Sequence, residues 1–281
     1  MRQSDELARW IGRREVHADA IRAAQLAAWN ATLDRDDPFP ADRDPVPPGF
    51  HWTLFAPVAR HSELGPDGHP RRGGFLPPVK LPRRMWAGSF LRFGVPLRVG
   101  DAVEQTSVID RIEEKSGRAG ALCFVTVHRT VTCPRGVAVE EEQNLVYREA
   151  QRQSFGGPIR PSEPSGWHRT ILPDDVLLFR FCALTFNGHR IHYDHRYATE
   201  QEGYPGLVVH GPLIATLLLD LLRRRLPDAE TASFAFKALR PTYDISPFAI
   251  EGEPDPDGSR VRLWSTDNAG EVAVEAEAVL K

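Results

Sequence analysis

Five residues able to do chemistry lie within eight positions of the C-terminal half. The segment reads NGHRIHYD, and its functional members are Asn187, His189, Arg190, His192 and Asp194. An imidazole is suited to proton transfer because its pKa lies near neutrality, and an amide can hold water or a hydroxyl by hydrogen bonds. A structural turn rarely needs so many polar groups, so the segment predicts a site for acid–base chemistry.

Three histidines of this region, His189, His192 and His195, are spaced three residues apart. On a helix this spacing would suggest a metal site. Gly188 before them and turn residues after them argue against a helix, and no further ligand cluster is apparent. We therefore expect no metal.

The element after this segment is a helix that must be buried. The run from Gly206 to Leu222 is apolar on nearly all sides, which requires other structure to surround it. Pro212 fits the first turn of a helix, and the arginines at 223–225 lie where the helix dipole favours cations. A sheet wrapped around such a helix is the hot-dog arrangement.

Related layouts in the two halves predict an α+β double hot dog, with two antiparallel sheets that each surround a central helix. Both halves contain a helix-like stretch, a Pro-Gly pair (Pro48-Gly49 and Pro205-Gly206) and strands of alternating polarity. The glycine- and proline-rich stretch Gln151 to Thr170 predicts a linker. We expect units at 1–150 and 151–281.

Composition limits the class of protein. The 281 residues are 41% hydrophobic and 26% charged with a net charge of -3, typical of a globular protein without a nucleic-acid or membrane partner. Cys123, Cys133 and Cys182 form no CxxC pair, which indicates free thiols. The N-terminus lacks a signal-peptide core, and Leu213 to Leu222 is too short to span a bilayer. A cytoplasmic location is expected, with an organelle matrix as the alternative.

The chemistry-bearing segment resembles the signature of (R)-specific enoyl-CoA hydratases and MaoC-like dehydratases, Ser/Thr-Gly-Asp-x-Asn-Pro-Ile/Leu-His. In this alignment His192 matches their catalytic histidine and Asn187 their catalytic aspartate. The later Val209-His210-Gly211-Pro212-Leu213 is similar to their helix start. Two departures are the Asn at 187 and the His189-Arg190 pair in place of Asn-Pro.

The run FNGHRIHYD and the later GYPGLVVHGPL are similar to two sub-branches: mitochondrial-type 3-hydroxyacyl-thioester dehydratases and 3-methylfumaryl-CoA (mesaconyl-C4-CoA) hydratases. The first-half stretches Gly68 to Pro78 and Leu81 to Gly88 also resemble the latter. The resemblance implies a hydro-lyase that adds water to an enoyl thioester, such as 3-methylfumaryl-CoA to citramalyl-CoA. It implies no cofactor, since CoA is part of the substrate, and we expect a homodimer.

Hydration of a conjugated thioester needs a base for water, a proton donor at the α-carbon and stabilisation of the thioester oxygen. The resemblance assigns proton transfer to His192 and the holding of water to Asn187, with Asp194 as a conceivable helper. A backbone N–H near His210-Gly211, at the positive end of the buried helix, is expected to bind the thioester oxygen.

Further residues are expected to bind substrate. His189 and Arg190 lie inside the motif. His210 either lines the site or packs at the helix start. Arg83 and Arg84 are candidates for a CoA phosphate or for the free carboxylate of a dicarboxylic acyl group, although at least one of the pair is expected to be a solvated surface residue.

The first half lacks a counterpart of the motif. Its equivalent stretch, Asn30 to Arg43, is acidic and contains no histidine, so we expect it to do no chemistry and to widen the cleft. Three other functions stay open: a fatty-acid-type dehydratase of acyl-CoA or acyl carrier protein, a non-catalytic acyl-thioester-binding subunit, and a thioesterase, which hot-dog folds also host.

Overall fold

The computed structural model describes residues 6–117, 120–149 and 166–281. The strands are β1 (Arg14–Ala20), β2 (Arg83–Phe93), β3 (Ala102–Gly117), β4 (Gly120–Cys133), β5 (Gly136–Arg148), β6 (Trp167–Ile171), β7 (Thr231–Ala238), β8 (Phe248–Pro254), β9 (Arg260–Thr266) and β10 (Val272–Leu280). The α-helices are α1 (Ala23–Thr32), α2 (Asp175–Thr185) and α3 (Gly211–Arg225).

The strands form one antiparallel sheet in the order β1-β3-β4-β5-β2-β7-β10-β9-β8-β6. Each half of the chain supplies five neighbouring strands, and β2 and β7 join them edge to edge. The two predicted sheets are thus joined into one continuous sheet. The seam requires Gly88, because a Cβ at this position would lie 2.3 Å from the carbonyl oxygen of Phe236.

Helix α3 is the central helix predicted from composition. Every residue from Leu213 to Leu222 is buried, and the helix packs on β8, β9 and β10 as well as on β2 and β6. In the first half, Pro48-Gly49 leads instead into the short 3-10 helix Phe50–Thr53. Only the second half has a long central helix within the described residues, contrary to the expectation of one per half.

One carboxylate interrupts the apolar surface of α3. Asp220 accepts hydrogen bonds from Arg35 (3.0 Å), Arg169 (3.0 Å) and Arg224 (2.7 Å). Arg35 belongs to the first half, so this buried network ties the two halves together.

Helix α2 delivers the chain to the predicted motif. The side chain of Asp174 accepts a hydrogen bond from the N–H of Leu177 (2.8 Å) and caps the helix. The helix ends at Phe186, whose φ of +50° turns the chain away. Of the predicted linker, residues 151–165 lie outside the described residues, and its end is strand β6 instead of linker.

The three cysteines are free thiols, as predicted, and Cys123 and Cys182 are buried. Among the described residues, no helix is long and apolar enough to cross a membrane.

Candidate active site

The motif forms a tight turn between α2 and α3. The N–H of Asn187 donates to the carbonyl of Cys182 (2.9 Å), and its side-chain oxygen accepts from the N–H of His189 (3.0 Å). The 3-10 turn Arg190–His192 follows. Asn187 thus shapes the turn that presents the histidines, and its amide NH2 points to no partner among the described residues.

His192 is held in one orientation and one tautomer. Its Nδ1 lies 2.6 Å from the carbonyl oxygen of Val208, so Nδ1 carries the proton and donates it. Nε2 has no hydrogen-bond partner in the described part of the chain and keeps a lone pair for water. The ring is 8% exposed. Burial, against the effect of the Val208 carbonyl, lowers the pKa of His192 to about 4, so it is a neutral base at pH 7.

His210 lies behind His192 and is almost fully buried. The two rings stack with centroids 3.7 Å apart. Burial raises the pKa of Cys182 to about 12, so this thiol keeps its proton and can donate it to Nε2 of His210, 3.1 Å away. Burial also lowers the pKa of His210. The geometry agrees with the packing alternative for His210 and not with substrate contact.

Two more imidazoles continue this row towards the surface. The ring of His189 lies 5.2 Å from that of His192 and 4.1 Å from that of His69, between centroids. His69 comes from the first half, and its Nδ1 lies 3.2 Å from Oδ2 of Asp67. Burial lowers the pKa of both outer histidines, and the positive charge of Arg84 adds to this effect. We call His69, His189, His192 and His210 the histidine cluster.

The first-half loop is joined to the motif by close backbone contacts. A Cβ on Gly68 would lie 1.8 Å from the carbonyl oxygen of Gly188, so only glycine allows the approach. The N–H of Arg190 donates to the carbonyl of Asp67 (2.9 Å), and its guanidinium donates to that of Pro66 (3.1 Å).

Two motif residues expected at the site have structural partners instead. The guanidinium of Arg190 donates to Oδ2 of Asp194 (2.7 Å), and Oδ1 of Asp194 accepts from the N–H of Tyr197 (2.9 Å). Arg190 therefore fastens the loop, and both carboxylate oxygens of Asp194 already accept hydrogen bonds.

Arg83 and Arg84 have different environments. The side chain of Arg83 is 10% exposed, with Nε 3.1 Å from Oε2 of Glu202 and its guanidinium over the ring of Tyr204. Arg84 is half-buried and forms no salt bridge with any described residue. Its charge acts on Asp67, His69 and His189. Arg83 is therefore not the solvated surface residue expected within this pair, and Arg84 is the arginine that lies near the histidine cluster.

Helix α3 begins beside the same residues. No side chain caps its N-terminus, and Pro212 has no N–H. Gly211 is half-buried, and a Cβ added to it would lie 3.9 Å from the carbonyl oxygen of Trp86 on β2. No described residue accepts a hydrogen bond from the N–H of Gly211.

One group of side chains could share a metal ion: Asp67, His69 and His189 have donor atoms within 4.8 Å of one another. Both carboxylate oxygens of Asp67 already bind His69, through its N–H and its Nδ1, and Arg84 brings positive charge close by. The arrangement is satisfied without a cation, and the absence of a metal stays a prediction.

A cavity of about 460 Å³ lies along α3, between the two halves. Residues 45–49 and 93–97 of the first half line it, together with Thr216, Leu219 and Leu222 of α3. No member of the histidine cluster belongs to its lining.

Sequence reasoning missed His69 and Asp67. Both lie in or beside the first-half stretch Gly68 to Pro78 that carried a resemblance, and the Asp-Gly-His spacing is typical of a turn that pairs a carboxylate with an imidazole. That signal could have marked them as candidates.

The family model for hydroxyacyl-thioester dehydratase type 2 matches residues 49–244 of this chain. The chain belongs to this family. A mesaconyl-C4-CoA hydratase of Chloroflexus aurantiacus is 45% identical over 278 residues, 96% of each chain. The mitochondrial hydroxyacyl-thioester dehydratase type 2 of Schizosaccharomyces pombe is 27% identical over 228 residues, 72% of this chain and 76% of the yeast protein.

Solved structures bear on the fold of this dehydratase-family member. A MaoC-like dehydratase from Phytophthora capsici has a TM-score of 0.73 at 12% identity, covering 100% of this chain and 98% of its own. A Mycobacterium tuberculosis protein described as a double hot dog has a TM-score of 0.58 at 12% identity, covering 96% of each. The predicted α+β double hot dog is confirmed, and with the relatives above the chain is a hydro-lyase of the hydratase/dehydratase type.

Proposed function

We propose that this enzyme hydrates a branched, unsaturated dicarboxylyl-CoA of the 3-methylfumaryl-CoA type, with His192 as the base for water. The observation that carries the proposal is Arg84, a half-buried guanidinium beside His69 and His189 that forms no salt bridge with a described residue. A planar guanidinium that has no carboxylate partner among the described residues is well suited to bind a substrate carboxylate in a bidentate manner.

The other polar groups fit the remaining needs of the reaction. Nε2 of His192 accepts a proton from water while the water oxygen bonds to the β-carbon. The amide NH2 of Asn187 donates a hydrogen bond that holds the water or the product hydroxyl. The N–H of Gly211 donates to the thioester oxygen, where negative charge develops.

The similarity to the mesaconyl-C4-CoA hydratase of Chloroflexus aurantiacus supports this substrate class. We further propose that residues 151–281 carry the hydratase motif and that residues 1–150 form a degenerate unit without a motif of its own.

The test compares 3-methylfumaryl-CoA with crotonyl-CoA, which has no distal carboxylate, by loss of enoyl absorbance. In Arg84→Gln, kcat/KM for the dicarboxylyl substrate should fall about 100-fold, since a charge-assisted bond contributes about 2–3 kcal/mol. Crotonyl-CoA turnover should change less than about threefold. Arg92→Gln is the matched control, because Arg92 is exposed on the same strand β2. An equal loss for both substrates would contradict the role of Arg84.

The cavity along α3 favours a second candidate, a dehydratase of longer fatty acyl thioesters. Its lining is largely apolar, and it begins at Thr216, five residues or about 7–8 Å along the helix from Gly211. If an acyl tail occupies it, Leu219→Trp should abolish turnover of medium-chain substrates and spare crotonyl-CoA. Efficient turnover of medium-chain and not of dicarboxylyl substrates would favour this candidate.

We also infer a homodimer. Exposed apolar side chains lie on α2, at Val176 (54%) and Phe179 (64%), and just before it, at Leu172 (62%). Such side chains support a protein interface, and sedimentation at micromolar concentration measures the oligomeric state.

A further inference from the structure

The second-half motif offers few groups for the two proton transfers of hydration. Water must lose a proton and the α-carbon must gain one. An amide at 187 can do neither, and its oxygen is already bonded to the N–H of His189. Asp194 is occupied by Arg190 and Tyr197. Among the described groups of the second-half motif, this leaves His192 and His189, neither of which has a carboxylate partner.

We propose that His69, oriented by Asp67, is the second proton-transfer residue of this site and serves the α-carbon. The proposal rests on the role assigned above to His192. It departs from the expectation that the first half takes no part in the chemistry.

Asp67 fixes both the position and the tautomer of His69. Its Oδ1 accepts from the N–H of His69 (3.1 Å) and its Oδ2 from Nδ1 (3.2 Å). Nε2 is therefore the nitrogen left for a proton, and no described residue binds it. The side chain of His69 is 19% exposed and that of Asp67 is 32% exposed, so the pair lies where the histidine cluster meets solvent and substrate can reach it.

The contacts of the loop hold this pair at the motif. Gly68, between the two residues, has a φ of +87° and lies against Gly188, where each would clash if it carried a Cβ (1.8 Å and 2.8 Å from the other's carbonyl oxygen). Arg190 binds the carbonyls of Asp67 and Pro66 on the same side. A surface loop that merely covered the motif would not need so close an approach.

The pair completes a balanced reaction. In hydration, Nε2 of His192 takes a proton from water as the oxygen bonds to the β-carbon, and the π electrons move to form a thioester enolate. That proton leaves His192 for solvent, and His69, whose side chain is 19% exposed, takes up one in exchange. His69 gives it to the α-carbon. One O–H bond breaks, one C–O and one C–H bond form, and both imidazoles end neutral.

Asp67 favours proton uptake by His69. An imidazolium is stabilised by a carboxylate on its opposite nitrogen, as in serine hydrolases. His192 has only the neutral carbonyl of Val208 there. Asp67 therefore offsets part of the effect of burial and of the Arg84 charge, which lower the pKa of His69.

The experiment measures hydration of the enoyl-CoA that wild-type enzyme turns over best, in folded full-length variants checked by circular dichroism. His69→Gln should lower kcat at least about 100-fold, within the range of general acid–base catalysis, with KM changed less than about threefold. Asp67→Asn should lower kcat about 10-fold. Added imidazole should partly restore His69→Ala. His61→Gln, an exposed residue of the same loop region, is the matched control and should retain wild-type turnover.

The outcomes separate this proposal from the one it rests on. If His69→Gln keeps more than a tenth of wild-type kcat while His192→Gln is inactive, His69 is not a proton-transfer residue and the proposed site stands. If both variants are active, the proposed site fails as well. A lack of response of His69→Ala to imidazole overturns the proposal, and wild-type turnover in Asp67→Asn overturns the role of Asp67.

Discussion

Lowering the pH from 7 to about 4.5 protonates His192 far more fully in the unfolded chain than in the folded one. The folded-state pKa is about 4, because the ring is buried, whereas the ordinary value is 6.5. Between these values the unfolded chain binds more protons, so stability falls as the pH falls. The stability that comes from keeping His192 neutral is fully present above pH 6.5 and is lost progressively as the pH falls towards 4.

The magnitude follows from the two pKa values. They differ by about 2.5, and each pKa unit corresponds to about 1.4 kcal/mol, which gives a total of about 3.5 kcal/mol. At pH 4.5, about 2–2.5 kcal/mol of this is already lost. His69, His189 and His210 add to the effect in the same direction, since burial lowers the pKa of each.

Urea denaturation of wild type and His192→Gln at pH 7 and pH 4.5 isolates this contribution. Carboxylates titrate in both proteins and cancel in the comparison. The difference in the free energy of unfolding between the two proteins should shift by about 2 kcal/mol in favour of the variant as the pH falls. His61→Gln controls for the loss of one exposed imidazole. A difference that stays constant within about 0.5 kcal/mol would refute the assignment of His192 as a buried neutral base.

Three further predictions concern the loop, the helix network and the pH profile. Gly68→Ala should lower turnover about 100-fold, because its Cβ would meet the Gly188 carbonyl, whereas Gly74→Ala, with open space around it, should be neutral in the same assay. Asp220→Ala removes the carboxylate shared by Arg35, Arg169 and Arg224, of which Arg35 keeps Asp37, and should lower the free energy of unfolding by about 3–5 kcal/mol in urea denaturation. Asp228→Ala, exposed beyond the same helix, should change it by less than about 0.5 kcal/mol. Measured as initial rates, kcat/KM should be unchanged down to about pH 5. Below this pH it should fall with an apparent pKa of about 4, the value for His192 in the free enzyme. A fall in kcat/KM centred on the ordinary histidine pKa of 6.5 would contradict this.

Much of the fold was predictable because it depends on local composition. An apolar run too long to lie at a surface predicts the buried helix α3, and alternation in β4 predicts that Cys123, Val125 and Val127 share a buried face, as they do. The spacing from Asn187 to His192 lies within one turn, so sequence alone brings these residues together. What composition could not show is the seam: edge pairing of β2 with β7 depends on how closely two backbones approach at Gly88.

The arginine pair shows where a sequence pattern stops being informative. Neighbouring residues of a strand point to opposite faces, so Arg83 and Arg84 could not both enter one site. Which of them does so depends on partners far away in the chain: Glu202 and Tyr204 engage Arg83, and the histidine cluster lies beside Arg84. The sequence could not show whether His210 packs in the interior or lines the site, for the same reason. The side chain at the start of a helix can point either way, and its environment depends on where the neighbouring helix lies.

The location of the proposed site explains why a half without a catalytic motif is needed. Arg84 lies on β2, the first-half strand at the seam. Asp67 and His69 lie on a loop whose Gly68 is in close contact with Gly188 of the motif turn. The second half alone would keep His192 and the start of α3 but lose the arginine proposed for the carboxylate and the imidazole proposed for the α-carbon. In the proposed site the first half has lost its own motif but supplies Arg84 for substrate recognition and His69 for the second proton transfer. The two halves would then have different tasks in one reaction.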